Sequence, residues 1–346
     1  MASDAVEYQG DSALISQLSD AGVTLGMDAI RSLVAGVAGA PTGWQPDAWV
    51  DLIAPQADST LRMQLQALKR ETCRQSEGCF TEGPAPADRL VALREELARR
   101  GLDGFIVPRT DAHQGEYVPP HDERLRWLTG FAGSAGTAIV LSERAAIFVD
   151  GRYTLQVRNE VDTALMDPVP LADTTPSDWI AANLPAGARL GYDPGLHSEN
   201  TVAAFRRAAE QAGGMLVPQT DNPLDAVWPD QPAPPIAPIV AHDVAYAGKS
   251  SADKQAEIGA LLKRDGCDAV VLSAPDSIAW LLNIRGGDVP RAPMPLSFAI
   301  AHGDSTVDLF VDTRKLAPGL GAHLGNGVSV NTEAAFPAAL AALKGK

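Results

Sequence analysis

Apolar residues recur at helical spacing along the amino-terminal part of the chain: Leu14, Ile15 and Leu18, then Ile30, Leu33, Val34 and Val37, then Trp49, Leu52 and Ile53, then Leu61, Leu65 and Leu68. Gly and Pro punctuate these runs, so residues 1–82 are expected to form a helical extension. After the loop Gly83-Pro84-Ala85-Pro86, Leu90, Leu93 and Leu97 mark one face of a helix that Gly101 stops, glycine being the residue for which a left-handed cap costs least. The short apolar run Gly104-Phe105-Ile106-Val107-Pro108 reads as a buried strand. Two further strands, 137–141 and 145–149, flank Ser142-Glu143-Arg144 with the spacing of a tight hairpin. Thr175-Pro176 reads as a cap and first helical residue, and Val202, Phe205 and Ala209 mark a helix ending near Gly213.

The pattern then repeats. Arg100-Gly101-Leu102-Asp103-Gly104-Phe105-Ile106-Val107 is matched by Asp265-Gly266-Cys267-Asp268-Ala269-Val270-Val271-Leu272, Trp127-Leu128 by Trp280-Leu281, and Phe148-Val149-Asp150-Gly151-Arg152 by Phe310-Val311-Asp312-Thr313-Arg314. The spacing between copies slips from block to block, which insertions explain and a rigid solenoid does not. The second hairpin is expected to turn at His302-Gly303-Asp304. Alternating helices and strands place the chain in the α/β class. Its expected divisions are the extension 1–82, a first domain 83–217, a proline-rich linker 218–249 and a second domain 250–346.

Charge narrows the partners. Lys plus Arg is 28 against 43 for Asp plus Glu, a net charge of −15 over 346 residues, which disfavours phosphate backbones and anionic membranes. Asp4, Glu7 and Asp11 stand where a secretory leader needs basic residues, and no apolar stretch is long enough to cross a bilayer. A cytoplasmic location is therefore expected, with no nucleic-acid or membrane partner. Cys73, Cys79 and Cys267 are too few for a disulfide framework and are read as free thiols.

Asp111, His113, Glu116, His121, Asp122 and Glu123 crowd one stretch, but their spacing matches no recognised metal geometry. They are better read, with Tyr117, as a loop held by side-chain to backbone bonds, which Pro119 and Pro120 cannot supply from their own nitrogens. Gly130, Gly133 and Gly136 precede a strand, whereas phosphate loops follow one, so they are read as close-approach positions at a hairpin entry. Ala132-Gly133-Ser134-Ala135-Gly136 misses the serine-hydrolase elbow by its first glycine, and a hydrolase built on Ser134 is a remote reading. Arg152 is the leading binding candidate, since Asp150-Gly151 ends a strand and lets a permanently charged fork project from it. The competing reading is a structural pair with Asp150. Tyr153 and Arg285 are secondary candidates.

The blocks Asp111-Ala112-His113-Gln114-Gly115-Glu116-Tyr117, Gly130 to Ala138 and Phe148-Val149-Asp150-Gly151-Arg152-Tyr153 resemble the creatinase-like amino-terminal region of three-domain Xaa-Pro aminopeptidases. The resemblance continues through Trp228-Pro229-Asp230-Gln231-Pro232 and Ala279 to Val289, covering about residues 83 to 346. It implies two tandem related creatinase N-terminal-like domains, each a mixed sheet flanked by helices. It also implies that the ligands for two Mn2+ ions lie in a third, pita-bread domain outside this stretch, so that this chain holds no cofactor and no catalytic residue of its own. Removal of the amino-terminal residue from peptides with proline second is the activity implied for the full length, with a homodimer as its assembly. By the same resemblance Arg152 contacts the bound peptide, while Asp111, His113, Glu116, Tyr117, Asp150, Tyr153 and Arg285 are substrate-side or structural. The alternative is a stand-alone peptide-binding or assembly module without the catalytic domain.

Overall fold

A computed structural model describes residues 8–38, 48–75 and 84–345. They form two compact units, the first containing residues up to 109 with 124–194 and 199–230, the second 110–123, 195–198 and 231–346. Cys79 and the thiol of Cys73 lie outside the described residues, and Cys267 is an exposed free thiol.

The amino-terminal segment is helical: α1 (Asp11–Asp20), α2 (Met27–Ala38), α3 (Ala48–Ile53) and α4 (Ser59–Gln75). Leu14, Leu18, Ile30, Val34, Leu65 and Leu68 form a core of their own, whereas Ile15 and Leu33 face solvent. The difference follows from geometry, because a helix only one neighbour deep buries a stripe and leaves the adjacent apolar position outside it.

In the first unit, α5 (Pro86–Arg99) opens with proline at its first turn, where no N–H is needed, and ends before Gly101 at φ 67°. Then follow β1 (Gly104–Pro108), α6 (Arg124–Thr129), β2 (Thr137–Leu141), β3 (Ala145–Val149), α7 (Gln156–Glu160), β4 (Asp167–Pro170), α8 (Pro176–Asn183), β5 (Arg189–Tyr192), α9 (Glu199–Gln211), β6 (Met215–Pro218) and α10 (Pro223–Val227). The sheet runs β4-β3-β2-β1-β5-β6 and is mixed, antiparallel in β1–β2 and β2–β3 and parallel elsewhere. Alternation along β1 and β3 sends Phe105, Val107 and Ile147 to the face covered by Leu93 and Leu97, and Ile106 and Phe148 to the face covered by Trp179 and Phe205. The side-chain oxygen of Thr175 accepts from the Asp178 N–H, capping α8 as its sequence implied.

The second unit repeats this plan with β7 (Val240–Ala241), α11 (Val244–Ala247), α12 (Ser251–Asp265), β8 (Ala269–Leu272), α13 (Pro275–Leu282), β9 (Ile284–Arg285), β10 (Phe298–His302), β11 (Val307–Phe310), α14 (Leu320–Leu324), β12 (Val328–Asn331) and α15 (Phe336–Ala342). Its main sheet runs β12-β11-β10-β8, with antiparallel β8–β10–β11 and parallel β11–β12. Phe148 and Phe310 hold equivalent places, each paired with the first residue of the preceding strand. Gly266 caps α12 at φ 68°, and Gly101, one residue past the Arg100 cap of α5, is left-handed in the same way. The second turn spans 303–306, ending two residues past the Asp304 its sequence suggested, because the Asp304 carboxylate accepts from the Thr306 N–H and hydroxyl. Within 218–249, Pro223 begins α10 and β7 pairs with β9, while 231–238 has no regular structure.

Glu96 is buried on α5, where its carboxylate accepts from Arg99 and Arg100. The hydrogen bond from Arg99 is the main cause that lowers its pKa from 4.5 to about 2. A depressed carboxyl contributes its full stabilisation above pH 4.5 and loses it as pH falls toward 2. Glu96→Gln is expected to lower stability by roughly 1 kcal/mol at neutral pH, with the gap to the parent closing on acidification. Urea unfolding of both proteins at pH 7 and near pH 3 checks this, and a gap independent of pH contradicts it.

Candidate functional site

The exits of the two central hairpins are built alike. In the first unit β3 ends at Val149, and the Asp150 carboxylate then accepts from the Arg152 backbone N–H (2.9 Å), from its Nε (3.1 and 3.2 Å) and from its Nη2 (2.7 Å). In the second unit the Asp312 carboxylate accepts from the Arg314 N–H (2.9 Å), Nε (3.0 Å to each oxygen) and Nη2 (2.6 Å). The two-residue spacing folds the arginine back over its own turn, so one carboxylate closes the turn and fixes the guanidinium plane. In each case the arginine hydrogen bond is the main cause that lowers the carboxyl pKa, that of Asp312 to about 2.

The copies differ in what comes next. Arg152 and Arg314 are similarly exposed, at 62% and 65%, but the Arg152 guanidinium carbon lies 5.0 Å from the ring centre of the next residue, Tyr153. The Tyr153 hydroxyl is 2.7 Å from Ser134 Oγ, and that bond is the main cause that lowers the phenol pKa. The Tyr153 ring also meets Phe131 edge-on at 5.6 Å. Arg152 is thus a preoriented, solvent-facing cation on an aromatic support. The position after Arg314 is instead Lys315, buried, whose Nζ is 2.9 Å from Asp288 Oδ2. Asp288 further accepts from the Ala237 and Leu296 backbone N–H groups, so this pair stitches the second unit together.

The glycines at the hairpin entry act as the sequence implied. A Cβ on Gly133 would lie 2.2 Å from the Phe131 ring, and one on Gly136 3.1 Å from it. Ser134, bonded to Tyr153, lies beside a phenol and not an imidazole.

In the second unit, Asp111 is buried, and its Oδ1 accepts from the N–H groups of His113 (2.9 Å) and Gly115 (3.0 Å), closing the loop. His113 stacks on Phe298 with ring centres 4.4 Å apart, and its Nδ1 is 3.1 Å from the Ser273 carbonyl oxygen. Glu116 and Tyr117 are exposed. Arg285 Nη1 donates to the carbonyls of Ile284 and Ala279, capping the end of α13. The structure therefore joins Asp150, Arg152 and Tyr153 in one cluster of the first unit, and gives Asp111, His113 and Arg285 backbone-holding roles in the second. Among the described residues no three His, Cys, Asp or Glu side chains are placed to share a metal ion. The described residues do not fit a dinuclear centre. No helix of the described residues is long and apolar enough to cross a membrane.

Sequence reasoning missed the Asp288–Lys315 pair, although its signal was present: a lysine follows the repeated Asp-x-Arg only in the second copy.

Residues 89–226 and 230–346 each match a family model described as creatinase/prolidase N-terminal domain. The chain is 37% identical over 247 residues to a probable Xaa-Pro aminopeptidase P of Aspergillus niger, covering 70% of this chain and 40% of that protein. A protein of the same description from Talaromyces marneffei is 37% identical over 251 residues, with 70% and 37% covered. The chain thus spans about 40% of the length of these relatives. Among solved structures it resembles an X-prolyl aminopeptidase from Caenorhabditis elegans, described as a cytosolic enzyme with a di-nuclear active site, at a TM-score of 0.70 and 28% identity over 75% of this chain and 44% of that one.

Replacing Asp288 with Ala leaves Lys315 buried without its counter-charge. A loss of roughly 3–5 kcal/mol is expected, measured by denaturant unfolding. A loss below about 1 kcal/mol, the scale of an exposed pair, contradicts the stitching role.

Proposed function

We propose, from the premise that this chain belongs to the creatinase/prolidase N-terminal domain family through two tandem domains, that it is the non-catalytic amino-terminal region of an Xaa-Pro aminopeptidase. The observation that carries the reading is the identity shared with probable Xaa-Pro aminopeptidases P across both domains, in a chain spanning 40% of their length. In this reading the rest of the polypeptide supplies the dinuclear centre, with Mn2+ as its metal, and this region supplies binding at the substrate end and assembly into a homodimer. The location is cytoplasmic.

Arg152 is the residue we assign to substrate. Asp150 holds its guanidinium in one plane and Tyr153 supports it from beneath, yet it stays 62% exposed. A fork prepared in this way loses little side-chain entropy on meeting a peptide carbonyl or carboxylate. Asp150 and Tyr153 orient it; Asp111, His113 and Arg285 hold backbone. The twin turn at Asp312–Arg314 supplies the control, since any cost of breaking the turn itself falls on both copies alike.

In the enzyme with its catalytic domain restored, Arg152→Ala is expected to raise KM by about ten- to a hundredfold, the loss of one charged hydrogen bond of about 1.5–3 kcal/mol. Arg314→Ala is expected to leave KM unchanged while shifting Tm by the same small amount as Arg152→Ala. Steady-state kinetics and thermal unfolding of the two variants check this. Unaltered kinetics in Arg152→Ala leaves only the structural pair.

A further inference from the structure

In the second unit a cavity of about 710 Å³ opens at the amino end of α12, between Ala241 of β7 and the loop Gly325–Gly327 after α14. Ser250 caps the helix, its hydroxyl accepting from the Asp253 N–H (3.1 Å) and donating to the Asp253 carboxylate (2.7 Å). Among the described residues the N–H groups of Ser251 and Ala252, the first two of a 15-residue helix, have no acceptor. Such groups carry the positive end of the helix dipole. Gln255, one turn further on, lines the same cavity and is only 7% exposed. Ser251 Oγ donates to the Leu281 carbonyl (2.9 Å), so it can only accept from Gln255 (2.8 Å). That bond assigns Nε2 to Ser251 and turns Oε1, which has no partner among the described residues, to the cavity. A Cβ on Gly327 would lie 3.1 Å from this oxygen. The Gly327 backbone is not left-handed and does not itself require glycine, so the missing side chain serves to leave Oε1 open.

The charges around the cavity favour an anion. Lys254 is buried, and its Nζ donates to the Trp280 carbonyl (2.7 Å) and to Oδ1 of Asn283 (2.6 Å), a cavity residue, with no carboxylate among its partners. Burial, then the neighbouring charges of Arg285 and Lys249, lowers the Lys254 pKa, as expected of a cation without a counter-ion. The nearby carboxylates are already engaged: Asp243 accepts from the Ala245 N–H (2.7 Å), Asp253 from Ser250, and Glu257 from Lys249 (2.7 Å). Ala241, Val244 and Leu324 make the rest of the wall apolar.

We propose that this cavity binds the free carboxy terminus of a peptide. The carboxylate accepts from the Ser251 and Ala252 N–H groups, the N–H of the last residue donates to Gln255 Oε1, and the last side chain covers Val244 and Leu324. An anion without a neighbouring donor, such as acetate, leaves Oε1 unpaired and fits less well. The site lies in the second unit alone, and it stands whether or not Arg152 of the first unit meets a substrate.

The test titrates the 346-residue chain with N-acetyl-alanyl-leucine and follows the NMR signals of the Ser251 and Ala252 backbone amides and the Gln255 side-chain amide. Saturable shifts of these signals are expected, with Kd raised about tenfold or more when the leucine carboxylate is converted to an amide, the scale of one charged hydrogen bond. Ala252→Asp places a negative charge where the ligand carboxylate sits and where the helix end tolerates it well. It is expected to abolish the shifts without lowering the thermal midpoint. Gln255→Leu is expected to raise Kd by about tenfold through loss of Oε1, and it decides the matter if Ala252→Asp fails to fold. Absence of shifts at these amides overturns the proposal, as does equal binding of the carboxamide. Acetate binding as tightly as the peptide also overturns it, since the cavity is then a bare anion site. Undiminished binding by a folded Ala252→Asp or Gln255→Leu variant does the same. Peptidase activity does not enter the readout, so its outcome stands apart from that of the Arg152 kinetics.

Discussion

A cation laid on an indole and hydrogen-bonded to the backbone carbonyl of the same tryptophan sets the frame of both units. Arg89 Nη1 donates to the Trp127 carbonyl, with the guanidinium carbon 5.3 Å from the ring centre. Lys254 Nζ donates to the Trp280 carbonyl at 2.7 Å and lies 4.5 Å from its ring. A charged hydrogen bond of about 1.5–3 kcal/mol and a ring contact of about 0.5–2 kcal/mol act at one junction. They tie α5 to α6 and α12 to α13. In both cases burial is the main cause that lowers the cation's pKa. The second copy adds Asn283, which accepts from Lys254 at 2.6 Å and caps α13 at φ 48°. The left-handed residue costs least when its side chain is occupied in this way.

From this shared frame the copies diverge at two ends. At the hairpin exit the same Asp-x-Arg turn leads to Tyr153 in one unit, supporting an exposed arginine, and to Lys315 in the other, buried against Asp288. Arg314 is as exposed as Arg152, so the copies differ in the residue after the arginine, an aromatic support in one and a buried lysine in the other. At the outer edge, among the described residues, β1 is flanked on both sides and β8 on one. The half-exposed Trp280 follows, since its clamp is present and no counterpart of Trp228 stacks on it among the described residues.

Much of the frame was legible because repetition multiplies weak signals. Gly101 and Gly266 each stop a helix, and the two Asp-x-Arg blocks mark matching hairpin exits, so each copy supported the reading of the other. Arg89 and Lys254 went unread because different residue types hold equivalent places, and a long side chain snorkelling onto an indole has no periodic trace. The Asp150–Arg152 pair was legible as one of two readings, since spacing gives reach and not exposure. The open edge of β8 was hidden for another reason: Ala-Val-Val-Leu reads alike for an interior and an edge strand, and only the order of strands in the sheet separates them.

Among the described residues the second unit repeats the plan of the first with one edge of β8 unpaired. Amide hydrogen exchange on the chain as it stands tests this most directly, because opening free energy differs between an interior strand and an edge strand of one fold. The β1 amides of Phe105 to Val107 are predicted to be among the slowest in the molecule, with the β8 amides of Val270 to Leu272 exchanging well ahead of them. Equal protection of the two strands at low protein concentration would contradict the account.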